Sequence, residues 1–98
     1  MFTSTFNKGF QITFENGWTI SVQYGSGNYC NNRDLKGHDM IEWKNRDGVT
    51  TSPNAEIAIW DSNNIDYKFD KYGLVKGWCT PDEVAEWISK VSKWTIQT

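Results

Sequence analysis

The chain has 98 residues and a formal charge of −2, with acidic and basic side chains interspersed. Its size fits one domain with a single core, and its charge fits neither a basic nucleic-acid footprint nor an acidic surface that imitates DNA. No export signal or long apolar run is present, so a soluble protein that binds neither DNA nor a membrane is expected.

Cys30 and Cys79 are too few and too distant for a disulfide framework, and neither belongs to a C-x-x-C pair. Both read as reduced thiols of a cytosolic protein. Aromatic content is the compositional outlier, with six tryptophans spread from Trp18 to Trp94. Aromatic side chains dominate cores, pockets and subunit interfaces alike, and this excess predicts a homo-oligomer that buries tryptophan between subunits.

Taken in chain order, residues 1 to 7 form an edge strand or a tail around Phe2 and Phe6. Phe10, Ile12 and Phe14 then alternate with Gln11 and Thr13, and Trp18, Ile20, Val22 and Tyr24 with Thr19, Ser21 and Gln23. Both patterns are those of half-buried strands. A two-residue Asn16-Gly17 turn would set Phe14 against Thr19 and place the two apolar rows on opposite faces. A three-residue loop, Glu15-Asn16-Gly17 with Gly17 left-handed in a bulge, pairs Phe14 with Trp18 and Ile12 with Ile20. The bulged hairpin is therefore expected.

The next segment, Tyr24 to Asp34, has no apolar periodicity and is longer than a simple strand connection needs. Two glycines loosen its backbone, and Ser26, Asn28, Asn31, Asn32 and Arg33 supply many hydrogen-bonding groups. One reading is a long turn whose asparagines satisfy its own backbone. The other is a binding loop in which Tyr24, Ser26, Asn28, Tyr29, Asn31, Asn32 and Arg33 form one wall of a polar pocket. In that reading Arg33 grips an anionic group and the tyrosines stack on a ring.

Leu35 to Pro53 has little pattern: Met40-Ile41-Glu42-Trp43 fits a short strand or a helical turn, Asn45-Arg46-Asp47-Gly48 a turn, and Thr50 to Asn54 a loop. Ala55 to Trp60 reads as a strand, Asp61-Ser62-Asn63-Asn64 as a turn, and the alternating Ile65 to Phe69 as another strand. Leu74 to Trp78 reads as a last short strand in which Gly77 marks a bulge or a close approach. The C-terminal helix is strongly signalled. Thr80 is a good N-cap, Pro81 suits the first helical position, and Glu83 completes a capping box. Val84, Trp87, Ile88, Val91 and Trp94 recur on one face. The whole predicts a single α+β domain over 1–98, an antiparallel sheet of four or five strands with a C-terminal helix packed on it.

Catalytic patterns are missing. His38 is the single histidine and has no nucleophile at a recognisable elbow and no second histidine for zinc. Asp61-Ser62-Asn63-Asn64 opens like a calcium loop, but Ile65, Asp66 and Tyr72 fall where an oxygen ligand, a glycine and a glutamate are required. Gly25-x-Gly27 lacks the third glycine and the following helix of a dinucleotide fingerprint. The helix N-terminus is occupied by its own side chains, with Pro81 removing a donor and Asp82 adding negative charge. No catalytic residue, metal or cofactor is assigned.

The run Phe14-Glu15-Asn16-Gly17-Trp18-Thr19-Ile20-Ser21-Val22-Gln23-Tyr24-Gly25-Ser26-Gly27-Asn28-Tyr29-Cys30 resembles a segment of small bacteriophage proteins of unassigned function. Ala55 to Asp61 and Gly77 to Val84 are similar to later segments of such proteins, and together the three cover about a third of the chain. The resemblance implies a phage origin and action in the host bacterial cytoplasm. By analogy it implies a non-catalytic counter-defence protein. Loop chemistry favours a sponge that sequesters a nucleotide-derived immune signal. The alternatives are a protein-protein inhibitor of a host effector, of anti-CRISPR type, and a small structural or scaffold component of the phage.

Overall fold

The structure, a computed structural model, describes residues 1–5, 8–34, 51–71 and 73–95. Expectations placed on Phe6, His38, Met40 to Trp43, Asn45 to Gly48, Thr50 and Tyr72 lie outside these residues. The described elements are β1 (Phe2–Ser4), β2 (Gly9–Thr13), β3 (Thr19–Gln23), β4 (Ala55–Trp60), β5 (Val75–Cys79) and α1 (Pro81–Ser92). The five strands form one antiparallel sheet in the order β1-β2-β3-β4-β5, and α1 packs against β3, β4 and β5. The domain is α+β, as the pattern of elements predicts.

Register sorts the side chains into two faces. Phe2, Ile12, Ile20 and Ile59 lie in one cross-strand row, and Phe10, Val22 and Ile57 in the next. Ile20, Val22, Ile57 and Ile59 join Ala55, Cys79, Val84 and Val91 in the core between sheet and helix. Strand alternation sends Thr3, Gln11, Ser21 and Ala58, and likewise Thr13, Thr19 and Trp60, to the opposite face. There, hydroxyls pair with neighbours, Thr13 Oγ1 with Thr19 Oγ1 at 2.8 Å.

The β2–β3 connection is the bulged hairpin. Ile12 pairs with Ile20, the Phe14 N–H donates to the Trp18 carbonyl at 2.9 Å, and Gly17 has φ = 91°. A β-branched residue is excluded by that backbone. Asn16 in the same loop is buried. Its Oδ1 accepts from the Trp18 N–H at 3.0 Å, and its Nδ2 donates to the carbonyls of Val91 (2.8 Å) and Trp94 (3.1 Å). One amide thus ties the hairpin to the C-terminal end of α1, where helix carbonyls lack intrahelical partners.

The capping box of α1 is present in full: Thr80 Oγ1 accepts from the Glu83 N–H, and Glu83 Oε1 accepts from the Thr80 N–H, both at 3.2 Å. Val84 and Val91 are buried, and Trp87, Ile88 and Trp94 half-buried on the same side.

The expected strand over Ile65 to Phe69 is a correction. After the Asp61 turn, with Asn64 at φ = 62°, only an isolated Trp60–Asp66 bridge and a bond from the Tyr67 N–H to the Ile59 carbonyl (2.8 Å) join this segment to β4. The reason is competition for one edge: β5 pairs with Ala55 to Ala58 and leaves only the end of β4 to residues 66 and 67. Ile65 is 64% exposed, and the alternation marks packing only at Tyr67 and Phe69. Tyr67 and Phe69 pack edge-on at 5.3 Å between ring centroids, Tyr67 lies 5.0 Å from Trp94, and Phe69 lies 5.1 Å from Trp87. Trp18 completes this aromatic wall at 4.8 Å from Trp94.

Candidate functional site

The Tyr24 to Asp34 loop is shaped by its own polar groups together with those of Thr51 and Asn54. Asn28 Oδ1 accepts from the Gly25 N–H at 3.0 Å, and Asn32 Nδ2 donates to the carbonyls of Tyr24 (2.7 Å) and Thr51 (2.9 Å). Asn31 and Asn54 exchange two bonds: the Asn31 N–H to Asn54 Oδ1 at 2.8 Å, and Asn54 Nδ2 to Asn31 Oδ1 at 3.0 Å. Beneath them Cys30 is fully buried, with its thiol directed at the Gly25 carbonyl. These asparagines therefore act as scaffold. Ser26 is half-buried at the loop surface.

The loop docks on β5 at a bulge. Ala55 faces Cys79 and Ile57 faces Lys76, so Gly77 and Trp78 together span the step that Glu56 makes alone on β4. The expected close approach at Gly77 is explicit: a Cβ there would lie 2.7 Å from Tyr29 Cβ and 3.1 Å from the Tyr29 carbonyl oxygen. The Trp78 N–H donates to that carbonyl at 2.8 Å, while Glu56 Oε2 accepts from the Tyr29 N–H at 2.7 Å.

This docking gathers Tyr29, Arg33 and Trp78 on the surface. Tyr29 and Trp78 are 42% and 50% exposed, with ring centroids 5.8 Å apart at an interplanar angle of 37°. The Arg33 guanidinium carbon lies 5.2 Å from the Tyr29 ring centroid, a cation–π contact. Among the described residues no hydrogen bond or ion pair engages that guanidinium. Trp78 also has φ = 50°, a left-handed backbone that costs a bulky residue on the order of 1 to 3 kcal/mol. Sequence reading found Tyr29 and Arg33 but missed Trp78 as their neighbour. Gly77, marking a close approach, was the available signal.

A separate groove of about 400 Å³ lies between the sheet and α1, lined by Phe10, Val22, Tyr24, Ala55, Val84 and Ile88 among others. None of its lining residues is charged. Of the seven loop residues expected to wall a polar pocket, only Tyr24 reaches it, and its walls are mainly apolar rather than polar. No tryptophan lines it. Trp18, Trp87 and Trp94 are spent on the aromatic wall, Trp60 is half-buried, and among the described tryptophans Trp78 is the exposed one.

Both cysteines are free and buried. Burial, then the nearby Glu83 carboxylate, push the Cys79 thiol above its ordinary value, with Lys76 opposing weakly. Cys79 is fully buried in the core between sheet and helix, a packing position. Among the described residues no group of three or more His, Cys, Asp or Glu side chains is arranged to hold a metal ion. No described helix is long and apolar enough to cross a membrane. No family model, curated protein or solved structure matches the chain.

Proposed function

We propose that the chain is a non-catalytic binding protein that captures a nucleotide-derived signalling molecule on the Tyr29–Arg33–Trp78 surface. The observation that carries this reading is the Arg33 guanidinium, held over the Tyr29 ring beside a half-exposed Trp78 and without an ion pair or hydrogen bond among the described residues. Two aromatic rings offer stacking surfaces to a base, and a guanidinium offers two-point hydrogen bonding to a phosphate. In the phage setting that the sequence resemblance implies, capture would sequester an immune signal in the host bacterial cytoplasm.

Isothermal calorimetry against a panel of cyclic and ADP-ribose-derived nucleotides tests it. Binding by one of them, lost on Arg33→Ala and on Trp78→Ala, supports the proposal. Absence of binding at high micromolar concentration across the panel overturns it.

One observation favours a second reading, a protein-protein inhibitor of a host defence effector. Asn31 Oδ1 and Asn32 Nδ2 are engaged by Asn54, Tyr24 and Thr51, and the exposed trio has the Trp, Tyr and Arg composition of interface hot spots. That reading predicts a stable complex with a host protein in pull-down, broken by Trp78→Ala, and no retained small molecule.

A further inference from the structure

The free edge of the sheet is self-complementary, and we infer that β1 pairs with β1 of a second copy to make a continuous ten-stranded sheet. The Met1 ammonium donates to the Thr13 carbonyl at 2.7 Å and the Thr13 N–H to the Met1 carbonyl at 2.8 Å. Four residues on, the Thr5 N–H donates to the Gly9 carbonyl at 3.1 Å. Residues 1, 3 and 5 thus direct their backbone groups at β2. Antiparallel alternation then aims the N–H and C=O of Phe2 and of Ser4 outward, away from the sheet. Among the described residues, no bond outside the β1–β2 ladder uses those four groups, and Phe2, Thr3 and Ser4 are all exposed.

A two-fold axis through Thr3 satisfies all four groups at once. Phe2 then exchanges both backbone bonds with Ser4 of the partner copy, and Ser4 does the same with Phe2 of the partner copy. The edge carries no lysine, proline or bulge of the kind that blocks such pairing, and its shortness is its one protection. Apolar surface supports the same occupant. Met1 is 78% and Phe2 81% exposed, and Phe2 belongs to the face that carries Ile12 and Ile20. Under this symmetry the two Phe2 rings become diagonal neighbours on one face, roughly 7 to 8 Å apart, within reach of each other. The pairing lies at the edge opposite β5 and does not depend on what Trp78 binds.

The same symmetry makes Thr3 face Thr3 of the partner copy as a non-hydrogen-bonded pair, with Cα atoms about 4.5 Å apart, inside the range a disulfide spans. Light scattering on the C-terminally tagged chain at tens of micromolar should give a dimer. The Thr3→Cys variant should form a reducible cross-linked dimer under mild oxidation, while the parent chain, whose own cysteines are buried, should not. Ser4→Pro removes an outward N–H without touching the β1–β2 ladder, and should weaken dimerisation by about tenfold or more at unchanged thermal stability. Phe2→Lys should act in the same direction. A monomer throughout that concentration range overturns the inference. So does a dimer that Ser4→Pro and Phe2→Lys leave intact, or one that Thr3→Cys does not cross-link.

Discussion

The Tyr29 carbonyl accepts the Trp78 backbone N–H at 2.8 Å, and this one bond joins the long polar loop to the bulge of the last strand. The contact is close because Gly77 has no side chain there. With a Cβ 2.7 Å from Tyr29 Cβ, Gly77→Ala must push the loop outward. A loss of about 1 to 3 kcal/mol in urea unfolding is expected, the usual range for overpacking. Cys30, adjacent to Tyr29 and now fully buried, should then react faster with a thiol reagent. Unchanged stability with unchanged Cys30 labelling would show that the loop is not docked on the bulge.

Trp78 is expected to trade stability for binding. Its left-handed backbone suits glycine, so Trp78→Gly should release strain and lose only the partly exposed contact with Tyr29. Thermal unfolding should show a variant at least as stable as the parent, while target binding disappears. A variant that unfolds markedly earlier would assign Trp78 a packing role.

Arg33→Ala should weaken nucleotide binding by roughly 1.5 to 3 kcal/mol, the range for hydrogen bonds to charged groups. Stability should hardly move, because the guanidinium is exposed and touches only the face of Tyr29 among the described residues. Calorimetry paired with a thermal melt separates the two effects. Equal affinity in parent and variant would remove Arg33 from the site.

Asn16 makes three hydrogen bonds from a buried position, two of them to the end of α1. Asn16→Ala removes all three bonds, leaving the Val91 carbonyl its 3.2 Å bond from the Trp94 N–H, and should cost roughly 1 to 3 kcal/mol. Asn16→Asp keeps the acceptor for Trp18 but sets a carboxylate oxygen against the Val91 carbonyl, and should be at least as damaging. Chemical denaturation of both variants checks the order. Losses no larger than those of an ordinary surface substitution would mean that the hairpin and helix hold without this amide.

Cys79 is expected to give the stability a pH dependence on the alkaline side. Its folded-state value lies above the ordinary 9.0, so the folded protein holds the thiol proton more tightly than the unfolded chain. The associated stability is fully present below pH 9 and declines as pH rises through the folded value. Cys79→Ala should flatten this decline in denaturation curves taken at successive alkaline pH values. An identical slope in both proteins would refute the assignment.

Local chemistry determined much of this molecule in advance. Strand alternation in Phe10 to Phe14 and Trp18 to Tyr24, with the requirement that both apolar rows face one core, was enough to choose the three-residue loop and its left-handed Gly17. Thr80, Pro81 and Glu83 likewise placed the start of α1, since a capping box is satisfied within four residues. Tertiary structure decided what depends on competition between distant segments. Ile65 to Phe69 has a strand's alternation, yet β5 holds most of the β4 edge, and Tyr67 and Phe69 are drawn onto Trp87 and Trp94 instead. The same holds for the loop. Its asparagines have the donors of a binding site, but Asn54 and Thr51 lie close enough to take part of that capacity. Among the described residues, Arg33 is met by the ring face of Tyr29 rather than by a carboxylate. Which asparagine groups of the loop are spent internally is set by neighbours far away in the chain, and no local pattern records them.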